Sequence, residues 1–192
     1  MHVVSRNSIQ NSLFGLPNFK LTSSNHSMRN PCSICDAKCC KSYIITVTAF
    51  DVLRIVKNAK KPPSDFAVLQ EARLLSYDPD TTLDIDGENW PHLLTLKSHP
   101  CVFLGKDNLC TIHEFAPLSC RRYPYTLTDK LNTRFCPFPS QLIFALKGSD
   151  VGKEPLLNEI ELYKKIVKEW NKKPGKKEEC VAFLLSKSYL PA

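Results

Sequence analysis

No stretch of this chain approaches the ~18 consecutive apolar residues that a membrane-spanning helix requires. The longest apolar-rich pieces, near Tyr43–Val47 and Leu142–Leu146, are far shorter. The first thirty residues are rich in Ser and Asn and lack the apolar core of a secretory signal. No internal repeat and no Gly-rich cofactor loop is evident, with glycine at only 6 of 192 residues. Concentrated charge is also missing. The net charge of +7 is spread out, +4 over residues 1–146 (16 basic, 12 acidic) and +3 over 147–192 (10 basic, 7 acidic). A nucleic-acid footprint concentrates Lys and Arg on one face. Neither a membrane nor a nucleic acid is therefore the expected partner.

Cysteine is present in quantity, though not at scaffold density. Nine cysteines in 192 residues fall below the ~8–10% of a disulfide-built chain. The number is odd, no export signal is visible, and the chain is long enough to bury a core without staples. Reduced thiols and a cytoplasmic location are expected. In a reducing compartment, clustered cysteines more often hold metal or do redox chemistry than form disulfides.

The pattern of apolar and turn residues predicts an α+β fold of short strands and helices. Tyr43–Val47 suits a strand. Thr48-Ala49-Phe50-Asp51 resembles a capping box and opens a helix from about Ala49 to Lys60, stopped by Pro62-Pro63. Ser64 caps an expected second helix to about Leu75. Thr81–Asp86 and Leu93–Lys97 read as two strands, and Cys101–Leu104 with Leu109–His113 as a hairpin about Gly105-Lys106-Asp107-Asn108. A short helix is expected over Pro117–Arg122, then an extended segment to about Phe144. Pro155–Lys173 is the clearest helix, and a closing one follows over Glu178–Tyr189. The expected organisation is a flexible arm over residues 1–30, a cysteine-cluster domain over 31–146 and a helical extension over 147–192 packed on that domain.

Four cysteines fall within nine residues, at Cys32, Cys35, Cys39 and Cys40. Four more, Cys101, Cys110, Cys120 and Cys136, are widely spaced. Thiolates are soft anionic ligands suited to Zn²⁺ and to iron–sulfur clusters. A CxxC alone is a weak signal; CxxC followed by CC and four further cysteines is a strong one. The adjacent pair is informative, because neighbouring side chains diverge by ~100° in a helix and oppose one another in a strand. Cys39 and Cys40 then serve two nearby sites, or one ligates and the other is buried. Eight sulfurs fit two four-ligand sites, or one site with supporting thiols. His99 and His113 neighbour candidate ligands and are weighed as Cys₃His members. Asp107 and Glu114 lie near the cysteines without forming a catalytic dyad. Cys180, beside Val181 and Phe183, reads as a core thiol.

These motifs make the chain similar to the YkgJ-type cysteine-cluster family of zinc- or iron-chelating proteins, often labelled iron–sulfur-containing. The CxxCxxxCC motif is matched at Cys32, Cys35, Cys39 and Cys40, and a CxFL segment at Cys101-Val102-Phe103-Leu104. Cys110-Thr111-Ile112-His113 matches a C-x-I-aromatic piece in part. Pro117-Leu118-Ser119-Cys120-Arg121-Arg122-Tyr123-Pro124 matches an RPxxCRxYP block, with Cys136 last. His113 stands where the family usually has Tyr, and Ala116 where it usually has Arg. The resemblance implies that all eight cysteines bind metal, as an iron–sulfur cluster of the [4Fe–4S] type or as zinc. Arg121 and Arg122 are candidates to donate to cluster sulfurs, since cluster potentials respond to such bonds, or they face water. Electron transfer with a protein redox partner is one expected role and metal stabilisation of the domain another. The alternatives are a zinc-stabilised protein- or nucleic-acid-binding adaptor, or an accessory to a protein-modifying enzyme. The last rests on a similar cysteine-rich region in bacterial flagellin lysine methylases.

Overall fold

The computed structural model describes residues 35–75, 77–132, 134, 136–149 and 151–189. The expected arm over residues 1–30 and the candidate ligand Cys32 lie outside the described residues. The helices are α1 (Lys38–Ser42), α2 (Ala49–Ala59), α3 (Pro63–Phe66), α4 (Leu118–Arg122), α5 (Phe138–Lys147), α6 (Lys153–Asn171) and α7 (Lys177–Ser188). Two antiparallel strands, β1 (Ala67–Glu71) and β2 (His92–Leu96), complete an α+β fold.

The expected capping box forms. The Asp51 N–H donates to Thr48 Oγ1 and the Thr48 N–H to Asp51 Oδ2, each at 3.1 Å. Two otherwise unpaired donors at the start of α2 are satisfied in this way. Val52 and Ile55 follow on the buried face, and Lys60 closes the helix at φ 54°. The second helix is a correction. It gives out after the single turn of α3, and from Ala67 the chain is strand. All five residues of β2 are buried, and β1 pairs along it from Ala67↔Leu96 to Glu71↔His92. A buried strand leaves its amides unpaired unless a neighbour supplies partners, and that demand outweighs the local helical signal.

The other edge of β2 is covered piecemeal. Residues 81–86 contribute one bridge, Leu83↔His92, and residues 43–47 contribute one, Thr46↔Thr95. The two expected strands there are reduced to these bridges. The segment before Phe144 is not extended throughout, since α5 begins at Phe138 with Pro137 as its cap. Proline is pre-organised for a first turn, which gives a pattern read as strand-like its helical start.

The core lies between this small sheet and the C-terminal helices. Val52 and Ile55 of α2, Tyr163, Ile166, Val167 and Trp170 of α6, and Cys180 and Leu184 of α7 meet Leu94 and Leu96 of β2 in one cluster. The Trp170 indole N–H donates to Asp84 O at 2.7 Å, and Asn171 exchanges hydrogen bonds with Thr82 O and the Asp84 N–H. The end of α6 is thereby pinned to the loop before β2.

One buried carboxylate joins three of these elements. Asp51, 2% exposed, pairs with Arg54, and Arg54 pairs with Glu159 of α6. The Thr48 hydroxyl donates to Glu159 at 2.6 Å. Asp51 Oδ1 also accepts the Leu118 N–H at 3.0 Å, the first amide of α4. Removing one member of a buried, hydrogen-bonded charge set strands its partners. Asp51→Ala is expected to cost ~3 kcal/mol by urea denaturation, and an exposed acid such as Asp65→Ala ~0.5 kcal/mol or less. Equal costs for the two would show that the network does not hold the fold.

Candidate metal centre

The turn at Gly105 places two of the candidate ligands. The Gly105 N–H donates to Leu109 O at 2.8 Å, and the Leu109 N–H to Asp107 Oδ1 at 3.0 Å. Asn108 takes φ 62°. A Cβ at Gly105 would lie 2.6 Å from Asp107 Oδ1 and 3.2 Å from Leu109 O, so the turn needs glycine there. The turn lets Leu104 pair with Cys110, and the Thr111 N–H reaches Phe103 O at 2.9 Å. Cys101 and Cys110, nine positions apart in sequence, both open on one cavity. Asp107 therefore shapes the turn.

Two short helices bring thiols from elsewhere. Cys39 and Cys40 lie on α1, and the Cys101 N–H donates to Cys40 O at 2.8 Å. This bond ties the dense cysteine group to the dispersed one across sixty intervening residues. Cys120 lies on α4, whose first amide is held by Asp51.

The cavity so enclosed measures about 240 Å³ and is lined by Cys39, Cys40, Cys101, Cys110 and Cys120. Ile45, Leu96, Phe103 and Ile112 make apolar walls, and Tyr43, Tyr123, His113 and Arg121 add polar groups. Among the described residues, no carboxylate lines it. The Cys39 and Cys40 sulfurs are 3.9 Å apart. Among the described residues, no three His, Cys, Asp or Glu side chains converge at the spacing of a single-ion site. Cys136, 7% exposed, sits just before α5 and interacts with Cys35; neither lines this cavity.

Burial governs the thiols. It pushes Cys110 up to about 11, and it also raises Cys101, Cys120 and Cys136. Cys40 is raised by its contact with the Cys39 sulfur and then by burial. Each of these thiols is neutral near pH 7 unless a cation offsets its charge. Backbone amides already favour the anion at two positions, Phe103 N–H facing the Cys101 sulfur and Ile112 N–H facing Cys110. Soft, neutralisable donors in a carboxylate-free pocket fit zinc or iron.

The arginines part company. Arg121 lines the cavity. Arg122, 4% exposed, donates to Thr126 O and Val151 O and pairs with Asp129. Its guanidinium neither faces water nor lines the cavity, and it braces the segment after α4 against the start of α6. His113 lines the cavity, whereas His99 is exposed and does not. Glu114 is exposed. Cys180 is fully buried in the core beneath α6 and α2, and burial raises it to about 12. Sequence reasoning missed Tyr43 and Tyr123, which pack edge to face with ring centroids 6.1 Å apart. The aromatic at 123 stood inside the matched block and was the available signal. It also missed Asp51 as the holder of α4, a contact spanning 67 residues that no local pattern carries.

Neither the curated proteins nor the solved structures contain a significant match to this chain. A family model described as CxxCxxCC, “Putative zinc- or iron-chelating domain”, matches residues 31–137. That span holds every cysteine lining the cavity, together with Cys32, Cys35 and Cys136, and covers more than half of the sequence. The chain belongs to this zinc- or iron-chelating CxxCxxCC family.

Proposed function

We propose that the eight family-block cysteines bind metal, as an iron–sulfur cluster of the [4Fe–4S] type, in a protein that exchanges electrons with a protein redox partner. The observation that carries this reading is the cavity of about 240 Å³ lined by five thiols from three separate segments. Its volume and apolar walls suit a polyatomic cluster, whose potential responds to burial and to hydrogen bonds at sulfur. Arg121, His113 and the amides of Phe103 and Ile112 supply positive charge and N–H donors beside the thiols. Zinc is the second reading, because a tetrahedral zinc site also accepts four thiolates. In either case the metal stabilises the fold, because it joins α1, the Gly105 hairpin and α4 across long loops.

Anaerobic purification with metal and sulfide analysis separates the two readings. A brown protein with iron and acid-labile sulfide is the expected outcome. A colourless protein with stoichiometric zinc replaces the cluster reading by the zinc one. Complete chelation under reducing conditions is expected to lower the Tm by roughly 10 °C, the equivalent of a few kcal/mol for a chain of this size. An unchanged melting curve after full metal removal contradicts a stabilising role.

The core position of Cys180 leads to a paired expectation. Cys180→Ala retains the full metal complement and loses ~1–2 kcal/mol from a small cavity. Cys110→Ala loses metal. Metal per chain in the two variants, purified alike without oxygen, is the measurement; the reverse pattern overturns the ligand assignment.

A further inference from the structure

A second cleft lies beside the thiol cavity. It measures about 230 Å³, with Val47, Leu94 and Ile160 among its apolar walls and Asp51 and Tyr163 in its buried lining. Among the described residues, no cysteine lines it. Thr46 and Ser119, both exposed, line this cleft and the thiol cavity alike. The two therefore open side by side across a rim of two hydroxyl side chains.

One group in this lining lacks a partner. Tyr163 of α6 is 3% exposed, and its hydroxyl makes no hydrogen bond among the described residues. Asp51, within electrostatic range of that hydroxyl, lines the same cleft. Burial, with Cys180 and Asp51 nearby, keeps the phenol protonated, so it holds a donor ready. A buried polar group without a partner destabilises the fold that contains it. Phenylalanine would fill the same space without that cost. A tyrosine here is explained when a molecule in the cleft accepts its hydrogen.

The charges around the cleft define the ligand. Two carboxylates, Asp51 and Asp78, line it, and among the described residues no Lys, Arg or His does. Anions are therefore repelled. Both carboxylates are already engaged. Asp51 meets Arg54, Thr48 and the Leu118 N–H. Asp78 pairs with Lys164 at 2.9 Å and accepts the Asp80 N–H. Neither leaves a free negative charge to offset a desolvated cation. A neutral molecule remains, with an apolar body for the walls and a hydrogen-bond acceptor for Tyr163. An apolar cavity of ~150 Å³ takes up benzene, so about 230 Å³ admits one ring with a small polar substituent.

We propose that this cleft binds a neutral, ring-sized organic molecule whose carbonyl-type acceptor is held by the Tyr163 hydroxyl, beside the thiol cavity. The site goes beyond metal binding and does not depend on which metal the thiols hold.

The probe is benzamide, with benzoate and benzylammonium as charged molecules of similar skeleton. Each is titrated into the full-length protein and followed by ligand-observed NMR and by thermal melting. Benzamide binds the wild-type chain saturably and raises its Tm. The charged probes bind roughly tenfold more weakly or worse, since each loses water without gaining a free counter-charge. Tyr163→Phe binds benzamide about fivefold more weakly, the equivalent of one neutral hydrogen bond. Without ligand it melts no lower than wild type, because only an unpartnered hydroxyl is lost. Ile160→Trp fills the cleft and abolishes binding. If that variant does not fold, Tyr163→Phe, which removes one oxygen atom, decides alone. The proposal is overturned by the absence of saturable benzamide binding, by equal affinity in Tyr163→Phe, or by equal or tighter binding of either charged probe. A ligand-free Tm for Tyr163→Phe below wild type shows a structural partner for the hydroxyl and overturns it as well.

Discussion

The buried carboxylate of Asp51 is the constraint on which the arrangement depends. It caps α2 through Thr48, meets Glu159 of α6 through Arg54, and accepts the first amide of α4. A buried charge is tolerated only when its hydrogen-bonding capacity is filled. Each bond to Asp51 is therefore a condition on where another element sits. The bond to Leu118 has functional reach, because Cys120 is two residues further along α4. The cap of one helix, the packing of the longest helix and the position of a cavity thiol are set by one side chain.

The thiol cavity presents the opposite problem. Its donors are half-buried to buried and raised above their usual range, so the pocket by itself favours neutral sulfur. The fold prepares the site without supplying the charge that completes it. Amide donors at Phe103 and Ile112 and the side chains of Arg121 and His113 reduce the cost of the anionic form. On the proposed metal-binding reading, a bound cation would add the rest and tie α1 to the Gly105 turn. The backbone bond from Cys101 to Cys40 shows how closely those segments approach.

Arg122 illustrates how a motif divides its labour. Two adjacent arginines follow Cys120 in the matched block. Successive residues of a helix point in different directions, and here one faces the cavity while the other is buried against Thr126, Val151 and Asp129. The buried one joins the cysteine-bearing part of the chain to the start of α6.

Much of the site was legible in the sequence because its signals are local. The cysteine spacing, the Thr48–Asp51 capping box and the Gly105 turn each depend on a few neighbouring residues whose conformational limits are known. Cys180 could be set apart from the candidate ligands by its apolar helical neighbours, and the structure buries it in the core. The sequence by itself determined the start of α2, the turn at Gly105 and the long amphipathic helix α6, while the two strands expected around that turn are reduced to the single bridge Leu104↔Cys110. Only the tertiary structure decided that Ala67–Glu71 is a strand, since the demand comes from the unpaired amides of a buried β2. It alone decided that residues 138–147 are helical, which thiols share the cavity, and that Asp51 reaches Leu118. These are contacts between residues far apart in the chain, and a pattern read along the chain carries no term for them.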